Sequence, residues 1–225
     1  MRRGLLHLRS PHLCLDAMNI PEIDTTAMEP TRGSERKGMR LVGLLALVTL
    51  VFFGLGGAWL IVGVQGRELA PVLVGPSGLW WQIFLGIASG LAIGYSAWAL
   101  ISRPFMETVL MKYAMLIGPL MPGATARILV SLCAGVGEEV FFRGAIQHWL
   151  GIVWTALAFV ALHGYLDPRS WRMSVYGVFL TITMLGLGWE ADAYGLLAPM
   201  IAHTLIDIVL LGKLHAVWRR SRQRV

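Results

Sequence analysis

Ile128-Leu129-Val130-Ser131-Leu132-Cys133-Ala134-Gly135-Val136-Gly137-Glu138-Glu139-Val140-Phe141-Phe142-Arg143 is the stretch on which the reading of this chain turns. Its first ten residues carry no charge and suit the interior of a bilayer. Its last six hold two carboxylates and a guanidinium. One charge at the centre of a spanning helix costs roughly 2.5–3.5 kcal/mol on insertion scales. Three within a turn and a half would cost on the order of 10 kcal/mol if unpaired, comparable with the stability of a whole domain. Such a cluster survives only where it is paired or solvated in a cavity. Ionisable residues inside a membrane are therefore a functional-site hypothesis from the outset.

The rest of the chain supports a membrane setting. Of 225 residues, 56% are hydrophobic and 14% charged, against about 25% charged in soluble domains. That excludes a separate soluble domain. The expected fold is all-α: a polytopic transmembrane helical bundle of about six spans at roughly 20 residues each. The net charge of +6 gathers at helix ends and tails, where topology and anionic headgroups use it. Binding to nucleic acid is therefore not expected, and the lipid bilayer is the expected surrounding. Cys14 lies in the polar tail and Cys133 in an apolar run, so no disulfide joins them on this reading, and Cys133 is a small packing residue.

Residues 1–40 read as a polar N-terminal tail, disordered or an over-called start, with Met18, Met28 and Met39 as alternative starts. Residues 41–217 form the transmembrane domain, and 218–225 a basic C-terminal tail. The expected spans are about 41–64, 79–101, 127–149, 152–165, 173–189 and 196–217. Gly151 allows a tight turn between the third and fourth. The 105–122 region, broken by Gly118, Pro119 and Pro122, reads as an amphipathic or re-entrant segment. Glu190, Asp192 and Asp167 read as loop residues, and Lys213 and His215 as interfacial. With both termini cytoplasmic, the basic segments fall inside and the acidic 190–194 link outside, as the positive-inside rule requires.

Three constellations carry polar chemistry. Glu139 and Arg143 are four residues apart on one helix face and can pair. Glu138 is rotated by about 100° from Glu139 and needs another partner. His163 ends Phe159-Val160-Ala161-Leu162-His163, with Phe159 one turn earlier. His203 and Asp207 share a face of the last span, where a His–Asp hydrogen bond would satisfy both. Each piece alone has a packing or pairing explanation. Together they bring acids and imidazoles from three segments towards one cavity near the cytoplasmic side. Proton-coupled transport is an alternative reading of such residues, but no inverted repeat with paired broken helices is evident. A catalytically silent scaffold or immunity factor is another. Gly86-Ile87-Ala88-Ser89-Gly90 reads as small residues that let helices approach closely.

Glu138-Glu139-Val140-Phe141-Phe142-Arg143 resembles the first motif of the CPBP family, which contains type II CAAX prenyl endopeptidases, Abi proteins and bacteriocin-processing or self-immunity proteins. Phe159 to His163 resembles its second motif. His203 to Asp207 resembles its third, with Asp207 where the eukaryotic-type enzymes carry Asn. The resemblance covers about 125–210 and implies an intramembrane endopeptidase acting on a membrane-embedded or lipidated protein or peptide. It implies catalytic Glu138, His163, His203 and Asp207, supported by Glu139, Arg143 and Phe159. Two mechanisms fit. In one, Glu138 and His163 activate a water, and His203, oriented by Asp207, stabilises the oxyanion. In the other, Glu138, His163 and His203 bind Zn²⁺. The short chain and its Gly-, Ala- and Arg-rich composition point to a bacterial inner membrane.

Overall fold

Apolar runs of bilayer length fold as helices because a helix satisfies its own backbone hydrogen bonds where no water is available. The computed structural model describes residues 32–121 and 123–223, and its described residues are helical with no strand. Eight helices order the described residues. They are α1 (Arg32–Val48, extended by further helical turns to Val64), α2 (Leu69–Val74), α3 (Leu79–Ile101), α4 (Glu107–Ile117), α5 (Ala124–Glu139, extended to Ile146), α6 (Gln147–Leu162), α7 (Trp171–Tyr194) and α8 (Leu197–Arg222). The expected disordered tail, with Cys14, Met18 and Met28, falls on residues 1–31 and lies outside the described residues. Residues 32–40 of that tail are helical.

Among the described residues, five helical runs are long and apolar enough to cross a membrane: Arg40–Val64, Leu79–Ile101, Ala124–Leu162, Trp171–Tyr194 and Leu197–Arg222. The helical membrane bundle is as expected, and the about six expected spans map onto these five runs. The third run contains both the third and the fourth expected spans. It breaks at Gly151, where φ is 71° and ψ is 174°, a conformation that glycine adopts without steric cost. The rings of Phe142 and Phe159 lie 5.0 Å apart, whereas a straight helix would separate these residues by about 25 Å. The chain therefore folds back on itself at Gly151. Its returning arm ends at Leu162 and rises only about 16 Å, roughly half of the hydrocarbon thickness. His163 follows the end of that arm and is exposed.

Helix α8 is held against α3 by a stripe of glycines. A Cβ on Gly86 would lie 2.5 Å from the Ala198 carbonyl oxygen, and one on Gly90 would lie 2.7 Å from Ala202 Cα. Close approach of small residues is how membrane helices pack without a hydrophobic driving force, so the reading of Gly86–Gly90 as a packing segment holds. Helix α4 is flanked by tight turns at Pro104–Met106 and Gly118–Leu120. It is too short to cross, which fits a surface or re-entrant segment. His215, expected at the interface, is buried, with its Nδ1 3.3 Å from the Gly118 carbonyl oxygen.

The acidic link is also corrected. Helix α7 continues to Tyr194, so Glu190 and Asp192 are helical, and Glu190 is buried. The Ser89 hydroxyl donates to Glu190 Oε2 at 3.4 Å, and Gln147 Nε2 donates to Asp192 Oδ1 at 2.7 Å. Donors from neighbouring helices replace water, so the carboxylates do not force the helix to end. Helix α2 was not foreseen. It is tied to the start of α8 by the Leu196 amide, which donates to the Val72 carbonyl at 3.2 Å.

Candidate active site

The two glutamates sit where α5 changes its winding. From Val140 to Ile146 the helix is π-helical, a widening that occurs often at functional sites. One turn earlier, a Cβ on Gly135 would lie 2.2 Å from Thr204 Oγ1. Glycine there lets α8 approach α5 closely enough for His203 to reach Glu139.

Glu139 is fully buried, and its Oε1 accepts two hydrogen bonds. Arg143 Nη1 donates at 3.0 Å and His203 Nδ1 at 2.7 Å. The Arg143 guanidinium also lies 4.6 Å from the centroid of the Phe159 ring. The pair read from the four-residue spacing is present, and it has a third member. His203 Nε2 lies 3.9 Å from Asp207 Oδ2. That is within ion-pair range but beyond a hydrogen bond. The expected His203–Asp207 bond is thus replaced by one from His203 to Glu139. Packing of α5 on α8 presents the imidazole with a nearer and more buried carboxylate than its own helix can. With Nδ1 donating to Glu139, Nε2 is the His203 nitrogen that addresses the cavity.

Glu138 has different company. Its Oε2 lies 3.5 Å from His163 Nε2, and its side chain is 13% exposed against 0% for Glu139. His163 Nδ1 lies 2.7 Å from the Phe159 carbonyl oxygen, an acceptor only, so Nδ1 donates and Nε2 faces the carboxylate. The Phe159 ring stacks on His163 at 4.2 Å and meets His203 edge-on at 5.8 Å. Phe159 therefore fixes both imidazoles and carries the Arg143 cation on its face.

These groups line a cavity of about 150 Å³ whose polar side chains are Glu138, His163, Tyr165, Tyr176, His203 and Asp207. At about 30 Å³ per water, it has room for a few solvent molecules or one small substrate group. A larger cavity of about 540 Å³ lies between α1, α2, α5 and α8, with Val136, Val140 and Met200 in its wall. It is apolar, and none of the expected site residues lines it. All seven expected site residues lie in or beside the smaller cavity. Tyr165, Tyr176 and Met184 were missed. The available signal was the position of Tyr165 two residues after His163.

The residues do not fit a zinc centre as arranged. Among the described residues, no three of His, Cys, Asp and Glu converge on a point where they could hold a metal ion. Zinc needs donors at about 2.0–2.2 Å from one centre. The Nδ1 atoms of both histidines are already engaged, by Phe159 and by Glu139.

Residues 121–209 match a family model described as type II CAAX prenyl endopeptidase Rce1-like. An uncharacterized protein of Bacillus subtilis (strain 168), YpbD, is 38% identical over 84 residues, which cover 36% of this chain and 42% of that protein. The chain thus spans less than half the length of this curated relative. No solved structure matches. Residues 121–209, on a helical membrane bundle, are thus similar to the Rce1-like type II CAAX prenyl endopeptidase family.

Proposed function

We propose that the protein is an intramembrane endopeptidase that hydrolyses a peptide bond of a membrane-associated or lipidated protein, with Glu138 as general base. The observation that carries this reading is the Glu138–His163 pair, 3.5 Å apart across the fold at Gly151, in a cavity shared with His203 and Asp207. The Glu138 carboxylate and His163 Nε2 are both acceptors in this arrangement, so one water can donate a proton to each. Glu138 takes a proton from that water as its oxygen attacks the scissile carbonyl carbon. The carbonyl electrons move to oxygen, giving a tetrahedral oxyanion. The carbon–nitrogen bond then breaks, and the proton held by Glu138 passes to the leaving nitrogen. His203, oriented by Glu139, presents Nε2 to the reacting group. Glu139, Arg143 and Phe159 hold the geometry.

The positive-inside rule assigns the loop holding Arg169 and Arg172 to the cytoplasm, and that loop directly follows His163. On this reading the cavity serves substrates reached from the cytoplasmic side, in the inner membrane of a bacterial cell with both termini cytoplasmic. The test compares the membrane proteome of wild-type cells with that of a Glu138→Gln strain. Accumulation of one or more uncleaved membrane proteins in the variant, with equal levels of the protease itself, is the expected result. Indistinguishable proteomes would overturn the protease reading.

A further inference from the structure

Helix α2 has the apolar cavity on one side and a charged recess on the other. The cavity, of about 540 Å³, meets Leu69, Leu73 and Val74 of α2. The recess, of about 500 Å³, meets Pro71, Val72 and Gly75. Residues 67–69 lead from one to the other, since Arg67 and Glu68 line the recess and Leu69 the cavity. The two lie at different depths. The cavity reaches Leu50 in α1, about 20 Å of helical rise before that run ends at Val64. The recess is built at helix ends, from Arg67 and Glu68 after α1 and Gly195 after α7. Polarity thus changes with depth as it does along a phospholipid, from charged headgroup to apolar chain.

The recess holds charges of both signs that do not satisfy one another. Arg67, Glu68 and Asp192 line it, and none of them forms an ion pair among the described residues. Arg67 Nη1 donates to Gln65 Oε1 and to the Gly144 carbonyl oxygen, each at 3.0 Å. Those bonds aim the guanidinium but leave its charge unneutralised. Asp192 Oδ1 takes only the Gln147 amide, at 2.7 Å. One cation and two carboxylates suit a ligand that itself carries both signs. A phosphate accepts from Arg67, and a primary ammonium donates to Glu68 and Asp192. A purely anionic headgroup would set its charge against two carboxylates, and a choline headgroup has no N–H to donate.

We infer that this site, at the Gly151 end of the bundle, binds one diacyl phospholipid with an ethanolamine headgroup. An acyl chain fills the apolar cavity and the phosphate sits on Arg67. The inference does not depend on the protease reading, but occupancy bears on the same helix. Val136 and Val140 of α5 line the cavity, each about 200° around the helix from Glu138. The chain therefore packs the back of the helix that carries Glu138.

The experiment places the full-length protein in vesicles of equal phosphatidylethanolamine, phosphatidylcholine and phosphatidylglycerol, extracts it in detergent, and reads the retained lipid by native mass spectrometry. Retention of one phosphatidylethanolamine in preference to the other two is expected. Arg67→Gln should lower that retention by about tenfold or more, for the loss of a charge-assisted hydrogen bond. Ala58→Phe puts a ring into the apolar cavity and should abolish it. Arg169→Gln, on the exposed loop after His163, should retain lipid as the wild type does. Retention in proportion to supply, preference for phosphatidylglycerol, or undiminished phosphatidylethanolamine in both site variants overturns the inference. If Arg67→Gln folds poorly, Glu68→Gln leaves the Arg67 bonds in place. The preference for phosphatidylethanolamine over phosphatidylglycerol should then fall, and an unchanged preference overturns the assignment. Cleavage is read nowhere in this experiment, so its failure and failure of the protease reading are separate results.

Discussion

The two ends of this bundle both hold buried or half-buried polar side chains, yet they use them in different ways. Near Gly151, polar groups reach for helix backbone. Gln147 Nε2 donates to the Gly188 carbonyl at 2.9 Å, Gln65 Nε2 to Ala145 at 2.9 Å, and Arg67 Nη1 to Gly144 at 3.0 Å. Each of these contacts fastens one segment to another. Around Glu138, acids and imidazoles face one another across a cavity, and Glu138 Oε2 has no hydrogen-bond partner among the described residues. A donor that ends on a backbone carbonyl fastens two segments, and this holds for Gln147 Nε2 even though Gln147 Oε1 and Glu139 Oε2, like Glu138 Oε2, have no hydrogen-bond partner among the described residues. Polar groups that face an acid–base partner across open space can exchange protons with what enters it. The boundary between the two uses runs between neighbouring residues, since Glu139 belongs to the fastening set and Glu138 to the cavity.

This contrast can be broken first at Arg143. Its side chain is 1% exposed and pairs with fully buried Glu139, so Arg143→Ala should destabilise the protein by about 3–5 kcal/mol by leaving a buried charge unpaired. Thermal unfolding in detergent measures this, and an unchanged midpoint would remove Glu139 from the fastening set. Gly151→Ala comes next. Forcing a side chain into that backbone conformation costs on the order of 1–3 kcal/mol. The strain falls where the chain folds back, so loss of the Glu138–His163 approach should lower cleavage along with stability. The smallest effect is expected at Gln147→Leu, at about 1–2 kcal/mol for the lost donor. Cleavage per folded molecule should stay at the wild-type level, and a selective loss of activity would mean that the Gly151 end also takes part in the chemistry.

The segments that cross the bundle without interruption were legible in the sequence. Helix α3 runs over Leu79–Ile101 as expected, and the Glu139–Arg143 pair follows from helical spacing alone. Contacts between helices were not legible. Periodicity on α8 pairs His203 with Asp207, because spacing reports only neighbours on the same helix. The stronger partner, Glu139, arrives through Gly135, whose missing side chain sets the distance between α5 and α8. The depth of Glu190 was misread for the same reason: its donor, Ser89, lies on another helix. The π-helical winding after Glu139 carries no sequence signature at all. The half-depth arm was anticipated only in part. Gly151 marked the turn, but the early end of the arm at Leu162 is decided by how the following loop seats against α7.

The claim that adjacent glutamates divide into one that reacts and one that holds is tested most directly by comparing Glu138→Gln with Glu139→Gln in liposomes, measuring cleavage and melting temperature on the same samples. General-base loss should lower cleavage by about 10²- to 10⁴-fold in Glu138→Gln, with melting as in wild type. Glu139→Gln, which disrupts the Arg143 and His203 bonds, should lower the melting temperature. Wild-type cleavage in Glu138→Gln, or a lowered melting temperature there with Glu139→Gln unaffected, would contradict the account.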